Sequence, residues 1–142
     1  MSKVTILVSE DNELWRHFIR QTLRKEPSFE IICETVDGMQ AVLMAEQHQP
    51  TTAVLDIGLP RLNGLDAARS IRKLAPNTNI VFLSEQRDLE VVKAALAIGS
   101  GYVLKSDAGD DLVAAIHSVF RGERVLSRQL ANLGIMQDRE ES

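Results

Sequence analysis

Four short hydrophobic runs in this chain each lead into residues suited to phosphoryl chemistry, and that coincidence constrains the fold more than any other feature. Val4-Thr5-Ile6-Leu7-Val8 leads into Glu10-Asp11, Ala53-Val54-Leu55 into Asp56, Ile80-Val81-Phe82-Leu83 into Ser84, and Tyr102-Val103-Leu104 into Lys105. The runs at 4–8, 53–55 and 80–83 are almost continuously apolar, the pattern of strands covered on both faces in a parallel sheet. Open parallel sheets place their ligand sites in the crevice beyond the carboxyl ends of the strands. Neighbouring strands would therefore bring a carboxylate cluster, a hydroxyl and an ammonium to one edge, a set that can bind a divalent cation and a phosphoryl group together.

Strand-like runs at about 4–8, 30–36, 52–56, 80–84 and 101–105 alternate with helix-length segments at about 12–26, 39–48, 64–75, 87–98 and 108–121. This alternation predicts right-handed βαβ units, hence an α/β fold: one doubly wound, five-stranded parallel sheet with helices on both faces. The more polar run from Glu30 to Val36 belongs near an edge. Asn12 is placed to cap the first helix, Asn63 or Gly64 to open the third, Pro76 to close it, and Ser106 or Asp107 to cap the fifth. Asp110 and Asp111 then stand near the positive end of that helix, and Leu112, Val113, Ile116, Val119 and Phe120 form its buried stripe. In the fourth helix only Glu90 and Lys93 are strongly polar between Leu89 and Ile98, so an outer face with Ala94 and Ala97 is either a bland small-residue surface or a docking face. The domain is expected to span 1–122. Residues 123–142 are expected to form an extension, with a short linker helix after a Ser127 cap lined by Leu130, Leu133 and Met136, and a frayed tail from Gln137.

A chain of 142 residues, 44% hydrophobic and 25% charged, fits one water-soluble globular domain. The net charge of -4, without a basic run, argues against a nucleic-acid-binding surface. The single Cys33 has no partner for an internal disulfide and reads as a small buried side chain in Ile31-Ile32-Cys33. With no signal-peptide pattern and no apolar stretch near the ~20 residues of a membrane span, the expected location is the cytoplasm, with no membrane association.

Glu10-Asp11-Asn12, Asp56-Ile57-Gly58-Leu59-Pro60 with Asn63-Gly64, Ser84, and Tyr102-Val103-Leu104-Lys105 together resemble the receiver domain of bacterial two-component response regulators, over about residues 3–121. The stretch from Gly101 through Lys105-Ser106-Asp107 to Gly122 and Leu126-Ser127 resembles the subfamily that carries a C-terminal helix-turn-helix domain; the roughly twenty residues after the fifth helix are too few to make one, so no direct nucleic-acid binding is expected of this chain. The resemblance implies a flavodoxin-like receiver fold and a phosphoprotein of a two-component phosphorelay acting in signal transduction and transcription regulation. It implies that Asp56 accepts a phosphoryl group from a sensor histidine kinase or phosphotransfer protein, the chain being a self-phosphorylating switch and not a turnover enzyme. Mg²⁺ would be held by Glu10, Asp11, Asp56 and the backbone carbonyl of Gly58, Lys105 and Ser84 would contact the phosphoryl oxygens, and Ser84 and Tyr102 would switch the surface of the fourth helix, fifth strand and fifth helix. A homodimer on phosphorylation, through the fourth and fifth helices, is expected from the apolar outer face around Ala94 and Ala97, with Ser84 and Tyr102 at its two approaches. Elementary chemistry agrees, since a carboxylate is a competent nucleophile toward phosphorus and three crowded carboxylates call for a cation.

The chain departs from the family pattern at three places: Glu85 puts an extra carboxylate after Ser84, Gly58 offers no side chain to arrange an attacking water, a part that Gln86, two residues beyond Ser84, could take, and Ser106 replaces a proline after Lys105. A haloacid-dehalogenase-like phosphatase needs a second Asp two residues after its nucleophile, where this chain has Gly58, and a nucleotide-binding fold needs a glycine-rich loop where it has Ser9-Glu10-Asp11. The remaining alternative is a receiver-like dimerisation module that is never phosphorylated.

Overall fold

The computed structural model describes residues 3–133. The elements run β1 (Val4–Ser9), α1 (Glu13–Arg24), β2 (Phe29–Thr35), α2 (Gly38–His48), β3 (Thr52–Leu55), α3 (Gly64–Leu74), β4 (Asn79–Ser84), α4 (Leu89–Ile98), β5 (Gly101–Leu104), α5 (Ala108–Phe120) and β6 (Val125–Leu126). All strand pairs are parallel, in the order β2-β1-β3-β4-β5-β6, so the polar strand β2 lies at an edge as expected.

Strand side chains alternate between two cores because successive residues point to opposite faces. Leu7, Ala53, Leu55, Ile80, Phe82, Tyr102 and Leu104 pack with residues of α2, α3 and α4, such as Ala41, Ile71, Val92 and Leu96. Ile6, Val8, Val54, Val81, Leu83 and Val103 pack on the other face with residues of α1 and α5, such as Ile19, Leu23, Leu112 and Ile116. Full burial of a Leu, Ile or Phe contributes about 1.5–3 kcal/mol, so these two layers hold the strand ends in place. Among the described residues no helix is long and apolar enough to cross a membrane.

The sheet has six strands, not the five expected. Gly122 takes a left-handed φ of 86°, which turns the chain back after α5. Val125 N–H then donates to Ser100 O at 3.0 Å and Ser127 N–H to Tyr102 O at 2.9 Å along the free edge of β5. A two-residue strand carries no periodic signal, so pairing with β5 alone defines it.

The helix starts at Asn12 and Asn63 are as expected, with Asn12 Oδ1 accepting from Trp15 N–H and Asn63 Oδ1 from Asp66 N–H, both at 2.9 Å. The fifth helix differs: it is entered through a 3-10 turn, Lys105–Asp107, and Asp107 makes no side-chain cap. Its carboxylate and the Ser106 hydroxyl instead accept from Gln129 Nε2, at 2.7 and 3.1 Å. Leu112, Ile116 and Val119 are buried as expected, but Ala108 and Ala115 complete the buried face, while Val113 is half-buried and Phe120 exposed. Nor does Ser127 cap the following 3-10 segment, Arg128–Leu133, through its side chain; its hydroxyl accepts from Leu104 N–H at 2.7 Å, a bond between segments distant in sequence. Leu130 is buried there, whereas Met136 and the tail from Gln137 lie outside the described residues. Cys33 is half-buried against the α2–α4 layer, and burial pushes its thiol above the ordinary range. The Lys105–Ser106 peptide is trans.

Candidate functional site

The chain turns from β2 back across β1 to β3, so the order of the strands reverses between β1 and β3, and a crevice opens at their carboxyl ends. Glu10 follows β1 and Asp56 follows β3, and Asp56 N–H donates to Ser9 O at 3.1 Å, carrying the ladder one residue past the strand. Glu10, Asp11 and Asp56 each offer an oxygen there, all within 4.8 Å of one another. Glu10 is buried, Asp56 half-buried and Asp11 exposed.

Lys105 enters from the end of β5. Its Nζ lies 2.7 Å from Glu10 Oε1 and 3.5 Å from Asp56 Oδ2, with the side chain 7% exposed. Burial raises the Glu10 carboxyl above its ordinary value, the charge on Asp56 adds to this, and Lys105 and the Asn12 N–H oppose it. Asn12 N–H donates to Glu10 Oε2 at 3.0 Å, while Oε1 has the ammonium as ion-pair partner and no well-aligned hydrogen bond. The donor set fits Mg²⁺, which takes carboxylate oxygens and retains water, and the exposed Asp11 leaves a face for that water.

A cleft of about 170 Å³ lies beside the cluster, lined by Asp56, Gly58, Ser84, Glu85, Gln86 and Lys105. Gly58 N–H donates to Asp56 Oδ1 at 3.3 Å. Ser84 Oγ accepts from Gln86 N–H at 3.0 Å, and the Tyr102 hydroxyl donates to Gln86 O at 2.8 Å, so Ser84, Gln86 and Tyr102 form one connected turn. The Tyr102 ring is completely buried, and burial raises its phenol, with the Asp56 charge adding and the Ser84 hydroxyl opposing. Glu85 is exposed and lines the cleft, adding a further carboxylate at its rim.

Glu10, Asp11, Asp56, Gly58, Ser84 and Lys105 thus come together here as expected, with Tyr102 joined to them through the Gln86 carbonyl, and Lys105 sits nearer Glu10 than Asp56. Three neighbours carry weaker sequence signals. Asp37 caps α2 through Gln40 N–H at 2.8 Å and meets Arg61 Nη1 at 3.7 Å. Gly38 donates to Pro60 O at 3.2 Å, which docks α2 on the loop after Asp56. Trp15, three residues beyond the helix cap, places its ring 5.0 Å from Lys105 Nζ. The Asp-Gly step before a helix marks the first two; an aromatic one turn beyond an acid pair is a signal only once Lys105 is known to be beside it.

The family described as response regulator receiver domain matches residues 6–117. The chain is 33% identical over 122 residues to the transcriptional regulatory protein DegU of Brevibacillus brevis, covering 85% of this chain and 52% of that protein. It is 33% identical over 127 residues to the nitrate/nitrite response regulator protein NarL of Escherichia coli strain K12, covering 89% and 59%. The chain thus spans little more than half the length of these curated relatives. A two-component response regulator of the LuxR family from Aurantimonas sp. SI85-9A1 superposes with a TM-score of 0.89 at 27% identity, covering 97% of this chain and 99% of that one. A match over most of the sequence and a superposition over nearly all of the fold agree with the strand-end chemistry: the chain belongs to the response regulator receiver family of two-component signalling.

Proposed function

We propose that Asp56 accepts a phosphoryl group from the phosphohistidine of a sensor histidine kinase or phosphotransfer protein, and that the resulting aspartyl phosphate switches the surface formed by α4, β5 and α5. The general function of the family is phosphorylation-driven signalling, and the observation that carries the finer reading is Lys105 Nζ at 2.7 Å from Glu10 and 3.5 Å from Asp56, beside an open cleft. An Asp56 oxygen attacks phosphorus as the P–N bond to the imidazole breaks, and the bonding pair leaves with the nitrogen. Lys105 meets one phosphoryl oxygen and the Ser84 hydroxyl, whose oxygen accepts from Gln86 N–H, donates its proton to another. Mg²⁺ at Glu10, Asp11, Asp56 and the Gly58 carbonyl would neutralise charge on the carboxylates and the phosphoryl group. The domain is read as 1–122 with 123–142 as an extension, acting in the cytoplasm as part of a transcription-regulating phosphorelay, without direct nucleic-acid or membrane binding by this chain. Incubation with acetyl phosphate and Mg²⁺ tests the reading: one acid-stable, base-labile phosphate is expected by intact mass, and an unchanged mass would turn the reading to a phosphorylation-independent dimerisation module.

Mg²⁺ is expected to raise the melting temperature. At ten times its dissociation constant the gain is about 1.4 kcal/mol. Asp11→Ala should abolish the rise, and melting curves with and without Mg²⁺ that shift as far as those of the parent would remove Asp11 from the ligand set.

Phosphorylation is also expected to promote a homodimer through α4 and α5. On α4, Ala97 is exposed and Ala94 half-exposed, with Ser84 and Tyr102 at its approaches. A coupling of ~1–3 kcal/mol changes the dimerisation constant roughly 5- to 150-fold. Sedimentation velocity with and without beryllofluoride reads that change, and one unchanged boundary for the fully modified protein would exclude the dimer.

A further inference from the structure

We propose that Trp15 is a positioning residue for Lys105, its indole face and the Glu10 carboxylate holding the ammonium between them at the point from which it reaches a phosphoryl group on Asp56. This deepens the function proposed for the same site and rests on it.

The indole is half-buried on the first turn of α1. Its backbone N–H is tied to Asn12 Oδ1 at 2.9 Å, directly after the acid pair, and its ring packs edge-on against Phe18 at 5.5 Å and 85°. Lys105 Nζ stands 5.0 Å from the ring centroid, within the range in which a cation is attracted to an aromatic face, for which Trp is the strongest partner. The ammonium thus has two carboxylates and one π-face around it. Lysine on its own is a flexible four-carbon stem, and the surroundings give it somewhere else to go. A second hollow of about 220 Å³, lined by Trp15, Glu85, Arg87, Leu104, Lys105 and Ser106, lies beside the Asp56 cleft, with Lys105 and Glu85 lining both. Glu85 lines both hollows and brings a further carboxylate to Lys105 only if the ammonium leaves its place, the movement that Trp15 would oppose. Trp15 walls the hollow and keeps Nζ on the Glu10 and Asp56 side. A leucine would fill part of the volume without attracting the charge, whereas phenylalanine would keep a π-face.

The test compares parent, Trp15→Phe and Trp15→Leu in the full chain, reading phosphate uptake from acetyl phosphate with Mg²⁺ and the proton resonances of the Lys105 ε-methylene, assigned by their absence in Lys105→Met. Uptake is expected to be roughly 3- to 30-fold slower in Trp15→Leu and within about threefold of the parent in Trp15→Phe, the range that one cation–π contact supplies. The Lys105 ε-protons are expected upfield of ordinary lysine in the parent, by the indole ring current, and at the ordinary position in Trp15→Leu. Equal uptake by Trp15→Leu and the parent overturns the proposal, as do unshifted Lys105 protons in the parent. Should Trp15→Leu fail to fold, the parent spectrum and the Phe variant decide. Should the parent take up no phosphate, the functional reading fails, while the ring-current shift still decides where Trp15 holds Lys105.

Discussion

Asp56→Asn is expected to take up no phosphate from acetyl phosphate under conditions that label the parent completely, as read by intact mass. The amide matches the carboxylate in size but is not a nucleophile toward phosphorus, so the loss should be total. Unfolding cannot imitate it. Asp56 contributes one of three carboxylates gathered within 4.8 Å, and removing its charge gives up only the longer 3.5 Å contact with Lys105, relieves repulsion on the buried Glu10, and leaves Glu10 its 2.7 Å contact with Lys105. The variant should therefore melt no lower than the parent in the absence of Mg²⁺. Equal phosphate uptake by the Asn variant would move the acceptor away from Asp56.

Gly38→Ala is expected to destabilise the fold by about 3 kcal/mol, roughly a 10 °C fall in melting temperature for a domain of this size, and to slow phosphate uptake with it. A Cβ at residue 38 would lie inside the contact distance of the Leu62 carbonyl oxygen and 2.7 Å from its carbonyl carbon, and those are backbone atoms that cannot rotate aside. The loop that would have to move carries Pro60 O, the acceptor of the Gly38 N–H, and runs directly from Asp56. Gly64 is tight for a related reason, since a Cβ there would approach the Asp56 carbonyl oxygen and lie 2.7 Å from Ile57 Cα. Gly58 is the control: no atom lies within 4 Å of an added Cβ, so Gly58→Ala should change stability by no more than about 0.5 kcal/mol. Equal melting temperatures for the Gly38 and Gly58 variants would remove the close approach of α2 from the account of how the Asp56 loop is held.

Much of the site was legible because its logic is local. An apolar run long enough for a strand and a polar residue just beyond it are adjacent in the chain, and the parallel-sheet rule sends every such end to one edge. Asn12 and Asn63 were readable for the same reason, since a cap bonds to an N–H three residues on. Asp107 and Ser127 were misread by that logic. Each has a capping side chain in a plausible place, but in the folded state these side chains bond Gln129 Nε2 and Leu104 N–H, both far along the chain, at 2.7 Å.

The sequence alone therefore determined the layered α/β architecture, the five main strands, β2 at an edge, and the gathering of Glu10, Asp11, Asp56, Ser84 and Lys105 at the strand ends. Only the tertiary structure decided the sixth strand, the choice of Glu10 over Asp56 as the nearer partner of Lys105, the indole beside that ammonium and the backbone contacts of Gly38 and Gly64. The physical reason is range: hydrophobic period and capping are written within a few residues, whereas a charge selects among partners brought together by the fold according to distance and burial.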